Sequence, residues 1–93
     1  MSGVDKAAFE AELRRDGFEV EAKDVPERPT TPEHEHPFDV RALVLGGGIT
    51  LTVAGQATRY GSGQVFTMPA GCRHAEAIGP EGMSYIVGRR RKT

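Results

Sequence analysis

The chain has 93 residues, 38% of them hydrophobic and none of them Trp, and its formal net charge at pH 7 is −1. Such a length predicts one domain with a modest core, which often gains stability from a metal or from a second copy. Cys72 is the single cysteine, which excludes an intrachain disulfide and favours a reducing compartment. Neither an apolar targeting segment nor a membrane-spanning run is present, so we expect a soluble, cytoplasmic protein with no membrane partner.

The charges are unevenly divided along the chain. Residues 1–40 carry 11 acidic and 5 basic side chains, whereas residues 41–93 carry 2 acidic and 7 basic ones. Four of these bases form the terminal run Arg89–Lys92, which has no interleaved aromatic residues. We therefore expect a solvated tail and no nucleic-acid partner. The acidic and basic halves would complement each other across a two-fold axis, so a homodimer is expected.

The first element predicted is a short helix over residues 4–16. Phe9 and Leu13 lie four residues apart and alanines fill the positions between them. Gly17 is placed to cap the C-terminus of this helix. A helix of this length is marginal alone, so we expect Phe9 and Leu13 to pack against the main body.

After the helix the apolar residues recur every second position, as they do in a strand, and no longer at the spacing of a helix. Residues 18–23 alternate as in a half-exposed strand, and four prolines within residues 24–37 favour an extended, edge-like path. Turn signals then follow one another closely as far as the last predicted strand. Further strands are predicted at 38–45, 49–53, 56–60, 64–68, 74–78 and 83–88, with a turn at Gly46–Gly48. The expected fold is an all-β, antiparallel barrel or sandwich over residues 18–93, preceded by the helical segment 1–17.

Histidine occurs at positions 34, 36 and 74 and nowhere else. In an extended segment His34 and His36 share one face with Phe38 and Val40, so the pair is expected to point into the apolar interior. Buried imidazoles need hydrogen-bond partners or a cation. If the fold brings His74 beside the pair, three neutral nitrogens would suit a divalent transition metal such as Fe, Zn, Ni or Mn.

In order and spacing these residues resemble the two motifs of a small, single-domain cupin. The first motif, G-x5-H-x-H-x3-E-x6-G, is matched by His34, His36 and Gly47. The second, G-x5-P-x-G-x2-H-x3-N, is matched at four positions, which are Gly63, Pro69, Gly71 and His74. The resemblance covers residues 18–88. It implies a jelly-roll barrel that holds a metal through histidines, and it adds weight to the expected homodimer.

Three positions depart from the cupin pattern. Arg28 stands at the leading Gly of the first motif, Val40 at its Glu, and Ile78 at the Asn of the second motif. Val40 removes the anionic ligand that the family would supply. The remaining set resembles the three-histidine cupins, among which thiol dioxygenases and a diketone-cleaving dioxygenase use ferrous iron.

Four further residues are predicted to lie beside the metal or the substrate, and a ligand role for Glu76 or Cys72 is a minor alternative. Glu76 shares the parity of His74 but lies about 7 Å further along the strand, and Cys72 belongs to the loop before it. Phe38 and Val40 are predicted to line the pocket. The carboxylates of Glu33, Glu35 and Asp39 have the opposite parity and are expected to face away.

Three functions are compatible with these features. The first is a metal-containing barrel that binds or senses a small molecule. The second is a three-histidine, Fe(II)-type dioxygenase, in which the metal would carry the chemistry. The third is a metal-free barrel that serves dimerisation. No general base is evident and no P-loop or dinucleotide motif is present, so the sequence identifies no catalytic residue.

Overall fold

The computed structural model describes residues 5–91 and confirms an all-β, antiparallel fold with one short helix. The elements are α1 (Lys6–Arg15), β1 (Glu19–Val25), β2 (Phe38–Val53), β3 (Gln56–Gly61), β4 (Val65–Met68), β5 (Ala75–Ala77) and β6 (Met83–Arg91). Within residues 5–91 no helix is long and apolar enough to span a membrane.

The helix is defined by caps that the sequence supplies at both ends. Asp5 accepts a hydrogen bond from the backbone N–H of Ala7 at 3.1 Å, as an N-cap residue does. At the other end Gly17 has φ 86°, and the N–H groups of Gly17 and Phe18 donate to the carbonyls of Arg14 and Leu13. This is a Schellman arrangement, and it agrees with the predicted Gly17 cap. The first residue of the predicted helix, Val4, lies outside the described residues.

Strand β2 is the organising element because it belongs to two half-sheets. Its first part pairs with β6 and β4, and β6 pairs in turn with β1. Its second part pairs with β3 and β5. All these pairings are antiparallel, and the two half-sheets enclose the barrel interior.

The turn predicted at Gly46–Gly48 is wrong, because β2 continues through it as one strand of 16 residues. The register with β6 shifts between Val44 and Gly46, which marks a bulge rather than a reversal. Gly47 has φ 66°, and a Cβ atom there would collide with the carbonyl oxygen of Gly82. The glycines therefore let the strand bend and cross from one half-sheet to the other.

Two separate clusters of apolar side chains lie on the opposite faces of the β1–β6–β2–β4 half-sheet. The inner core fills the barrel and comprises Ala42, Val44, Ile49, Leu51, Phe66, Met68, Ile78, Met83 and Val87. The outer core lies under the helix and comprises Phe9, Leu13, Phe18, Leu43 and Ile86. The predicted packing of Phe9 and Leu13 on the main body is confirmed.

The C-terminal arginines belong to a strand and not to a tail, which corrects the expectation for Arg89–Lys92, although Arg90 and Arg91 are solvent-exposed as expected. Strand β6 extends to Arg91, while Lys92 lies outside the described residues. Arg89 points to the inner side and pairs with Glu21 at 2.9 Å. Arg90 points to the outer side, 3.2 Å from Asp39 and 4.5 Å from the Phe18 ring centroid. The acidic partners on neighbouring elements keep this basic run in the sheet.

Candidate metal centre

The loop of the second motif is locked onto the histidine-bearing segment by backbone hydrogen bonds. The N–H of Cys72 donates to the carbonyl of Pro69, closing a tight turn in which Gly71 has φ 79°. The N–H of Gly71 then donates to the carbonyl of His36 at 2.9 Å. The Pro and Gly of this motif therefore set the position of the loop relative to His36.

His34 and His74 form a directly opposed backbone pair. Each N–H donates to the other residue's carbonyl at 2.9 Å, in an isolated antiparallel bridge. In both residues the ring nitrogen Nδ1 lies against a carbonyl two residues upstream, that of Pro32 at 2.9 Å and that of Cys72 at 3.0 Å. A carbonyl only accepts, so a neutral ring held in this way carries its proton on Nδ1 and its lone pair on Nε2.

The three imidazoles converge at the inner side of this bridge. The ring centroids of His34 and His74 are 4.5 Å apart, and those of His36 and His74 are 5.3 Å apart. The His36 ring is stacked on Phe38 at 4.9 Å with an interplanar angle of 11°. His74 is buried at 2% exposure, whereas His34 and His36 are partly exposed.

The carboxylate of Glu76 lies inside the histidine group, closer than the sequence indicated. Its Oε2 atom is 3.5 Å from His74 Nε2 and 3.7 Å from His34 Nε2. One ligand atom from each of His34, His36, His74 and Glu76 can be chosen so that all four lie within 4.8 Å of one another. The side chain of Glu76 folds back over its strand, so the separation of the two backbone positions does not limit the carboxylate.

Sequence reasoning missed the residue that holds Glu76 in place. Arg28 Nη1 donates to Glu76 Oε1 at 2.8 Å, leaving Oε2 toward the histidines. Arg28 and Ile78 exchange backbone hydrogen bonds at 2.9 Å in a second isolated bridge. The signal was available, since Arg28 and Ile78 are two of the three departures from the cupin motifs and prove to be partners.

The other predicted site residues take distinct places. Val40 and Phe38 line the cavity beside the histidines. The Cys72 side chain packs against the inner core, and it is the Cys72 carbonyl that orients His74. Glu33 and Glu35 face away, as expected, and lie 3.5 and 3.8 Å from Arg73.

His36 and His74, together with Glu76, form part of the wall of a cavity of about 230 Å³ inside the barrel. Apolar side chains of the inner core, including Phe66, Met68 and Leu51, supply most of the remaining wall. Tyr85 and three basic side chains, Lys23, Arg28 and Arg89, complete it. The arrangement therefore combines an apolar interior with polar groups concentrated beside the histidines.

Burial changes the acid–base behaviour of two residues of this wall. Burial holds the pKa of His36 below its ordinary value of 6.5, and positive charge on His74 or His34 would lower it further. Burial also raises the pKa of Tyr85 above 10.0. Near pH 7 the His36 ring is therefore neutral, as a metal ligand must be, and the Tyr85 phenol is protonated.

The donor set fits a divalent transition metal. Ligand atoms held 2.0–2.2 Å from one ion lie about 3.0–3.5 Å apart when adjacent and about 4.2 Å apart when opposite. The Glu76–histidine distances of 3.5 and 3.7 Å come near this range, and the spread of up to 4.8 Å needs contraction by several tenths of an ångström. Three imidazoles and a carboxylate suit Fe, Zn, Ni or Mn.

Solved structures share this architecture at low sequence identity. A cupin-2 domain containing protein from Shewanella frigidimarina aligns with a TM-score of 0.65 and 19% identity, over 80% of this chain and 71% of that chain. The polyketide cyclase RemF from Streptomyces resistomycificus aligns with a TM-score of 0.62 and 24% identity, over 84% of this chain and 58% of that chain. The DMSP lyase DddQ from Ruegeria pomeroyi aligns with a TM-score of 0.66 and 24% identity, over 81% of this chain and 39% of that chain. Such identities show the fold alone.

The sequence itself places the chain in a family. No curated protein matches it significantly. The family described as the cupin domain, however, matches residues 20–87, which include all three histidines and both motifs. Together with the cupin structures, this match confirms the predicted jelly-roll barrel. The chain belongs to the cupin family.

Proposed function

We propose that this protein is a metal-binding cupin that holds a small molecule in the barrel beside the metal. The observation that carries the proposal is the clustering of His34, His36, His74 and Glu76 ligand atoms within 4.8 Å of one another, in a group of which His36, His74 and Glu76 line the cavity. Because the wall is otherwise largely apolar, a molecule in the cavity would lie against both the inner core and the metal centre.

Each polar residue has a defined role in this proposal. The two backbone carbonyls hold Nδ1 of His34 and His74, so that Nε2 is directed to the metal. Glu76 supplies the negative charge that Val40 does not, and Arg28 fixes the orientation of its carboxylate. Four protein donors leave coordination positions of a six-coordinate ion open, through which the metal would polarise a bound molecule.

The test is metal binding by the purified protein and by variants with one site residue changed. The wild-type chain, stripped of metal and titrated with Fe(II), Zn(II), Ni(II) or Mn(II), is expected to bind one ion per chain and to melt at a higher temperature. His36→Ala and His74→Ala should lose this binding. Glu33→Gln removes an outward-facing carboxylate, and this control variant should bind metal as the wild type does. Absence of binding by all four metals, with unchanged melting of the histidine variants, would leave only the metal-free dimerisation barrel.

Turnover by a dioxygenase mechanism is the second candidate. It is favoured by the contact of the cavity with His36 and His74, which would put a bound substrate beside the metal. Oxygen uptake by the Fe(II)-loaded protein with small thiols or diketones distinguishes the two candidates. Uptake that disappears in His74→Ala would favour the enzyme, whereas stoichiometric metal without uptake would favour the binding or sensing role.

A further inference from the structure

The polar side of the cavity carries a surplus of positive charge. Among residues 5–91 the cavity is lined by three basic residues, Lys23, Arg28 and Arg89. Glu76 is the single acidic residue of these that lines it. These bases come from β1, the extended segment after β1, and β6, and the strands β1 and β6 are neighbours in the sheet. All three side chains are one third to one half exposed and reach the solvent edge of the cavity, at 43%, 43% and 34%.

The nearby carboxylates do not cancel this surplus. Glu21 is shared between Arg89 at 2.9 Å and Lys23 at 4.0 Å, and Glu76 is bound by Arg28. Three basic side chains thus face two acidic ones, before a divalent metal is counted. A low-dielectric cavity with a positive edge concentrates anions.

The remainder of the cavity sets the size and character of what would enter. A volume of about 230 Å³ equals roughly eight water molecules of liquid volume. Apolar side chains of the inner core face this space and offer no charged partner. Burial also keeps the Tyr85 phenol protonated, so it adds a hydrogen-bond donor and no negative charge.

We propose that the cavity takes a small organic carboxylate, with its carboxylate at the Lys23–Arg89 edge and its apolar body against the inner core. This inference rests on the proposed function in that it assigns the ligand class of the same cavity. It is carried by a different observation, which is the charge of the edge rather than the metal-ligand cluster. A carboxylate, which carries one negative charge, is favoured over a phosphate ester because three bases and two acids leave a surplus of a single positive charge.

The experiment compares matched probes by titration calorimetry, on the protein incubated with metal and on the metal-free protein. Benzoate and hexanoate are matched with benzamide and hexanamide, and benzylamine and phenyl phosphate serve as the cationic and phosphate probes. Both carboxylates are expected to bind about tenfold more tightly than their amides. Lys23→Gln and Arg89→Gln should each reduce this ratio about threefold or more, with metal stoichiometry unchanged. Arg90→Gln removes the same charge from the opposite face of β6 and should leave the ratio unchanged.

Several results would overturn the inference. These are equal binding of amides and carboxylates, tighter binding of benzylamine or phenyl phosphate, no binding of any probe, or a carboxylate preference that survives both Lys23→Gln and Arg89→Gln. An equal loss in Arg90→Gln would also count against it, because a general charge effect would then explain the preference. The two proposals fail separately: a carboxylate preference in a protein that takes no metal refutes the metal centre alone. A metal-loaded protein without the preference refutes the ligand class alone.

Discussion

The two faces of the β1–β6–β2–β4 half-sheet use the same strands for different purposes. On the outer face Leu13 of the helix and Ile86 of β6 are fully buried between helix and sheet, in a cluster of five apolar residues. On the inner face the same strands border a cavity with basic groups at its edge. Because successive side chains of a strand alternate between faces, one face can be optimised for packing while the other carries the candidate site. Stability and binding should therefore respond to different substitutions.

The largest effect expected is loss of stability on the outer face. Leu13→Ala removes a side chain with 0% exposure from the contact between helix and sheet, and should lower the free energy of unfolding by about 2–5 kcal/mol. Urea unfolding measures this change, and Glu12→Ala, at an exposed helix position, is the control. The folded fraction should bind metal as the wild type does. A parallel loss of metal affinity under native conditions would show that the two faces are not separable.

An intermediate effect is expected on the inner face, where Arg28 orients Glu76. Arg28→Gln removes the 2.8 Å hydrogen bond to Glu76 Oε1. It should weaken metal binding by about 10–100-fold, as loss of a group that orients a ligand does, with little change in urea unfolding. Competition with a chromophoric chelator gives the affinity. Arg73→Gln, an arginine paired with carboxylates that face away from the site, is the matched control. Equal affinities for the Arg28→Gln and Arg73→Gln proteins would refute the role of Arg28.

The smallest effect concerns the end of the helix and depends on pH. The hydrogen bond from Arg41 lowers the pKa of Asp16 below 3.8. A carboxyl group with a lowered pKa contributes stability above its unfolded value, and the contribution is lost as the pH falls through the folded value. The difference in unfolding midpoint between wild type and Asp16→Asn should thus be constant well above pH 3.8 and shrink as the pH falls through and below that value. A difference that grows on acidification would contradict this assignment, and metal binding at neutral pH should not change.

The sequence was sufficient for the parts of the fold that depend on local pattern. Alternation and turn signals predicted the antiparallel barrel, and the spacing of two motifs brought three distant histidines into one hypothesis. The continuity of β2 through Gly46–Gly48 was not predictable in this way, because a glycine run permits both a turn and a bulge, and only the pairing with β6 decides. The homodimer, the cytoplasmic location and the division at residue 17 stay predictions.

The candidate site shows the same limit more sharply. Parity correctly separated inward from outward carboxylates, since Glu33 and Glu35 pair with Arg73 outside the cavity. It could not place Glu76, whose long side chain reaches back to His74. Nor could it reveal that Arg28 lies opposite Ile78, since that register depends on irregular pairing between the proline-rich segment and β5. Contacts that long side chains make across irregular bridges cannot be predicted from the alternation of residues along a strand.

The short links from His34 and His74 to the carbonyls two residues before them have a kinetic consequence. Each ring is tethered within its own three-residue stretch, by Pro32 in one case and Cys72 in the other. When both rings are neutral, an incoming ion would therefore meet two Nε2 lone pairs, and neither ring would need to exchange tautomer. Rearrangement of these two side chains would then not limit the rate at which a metal is loaded.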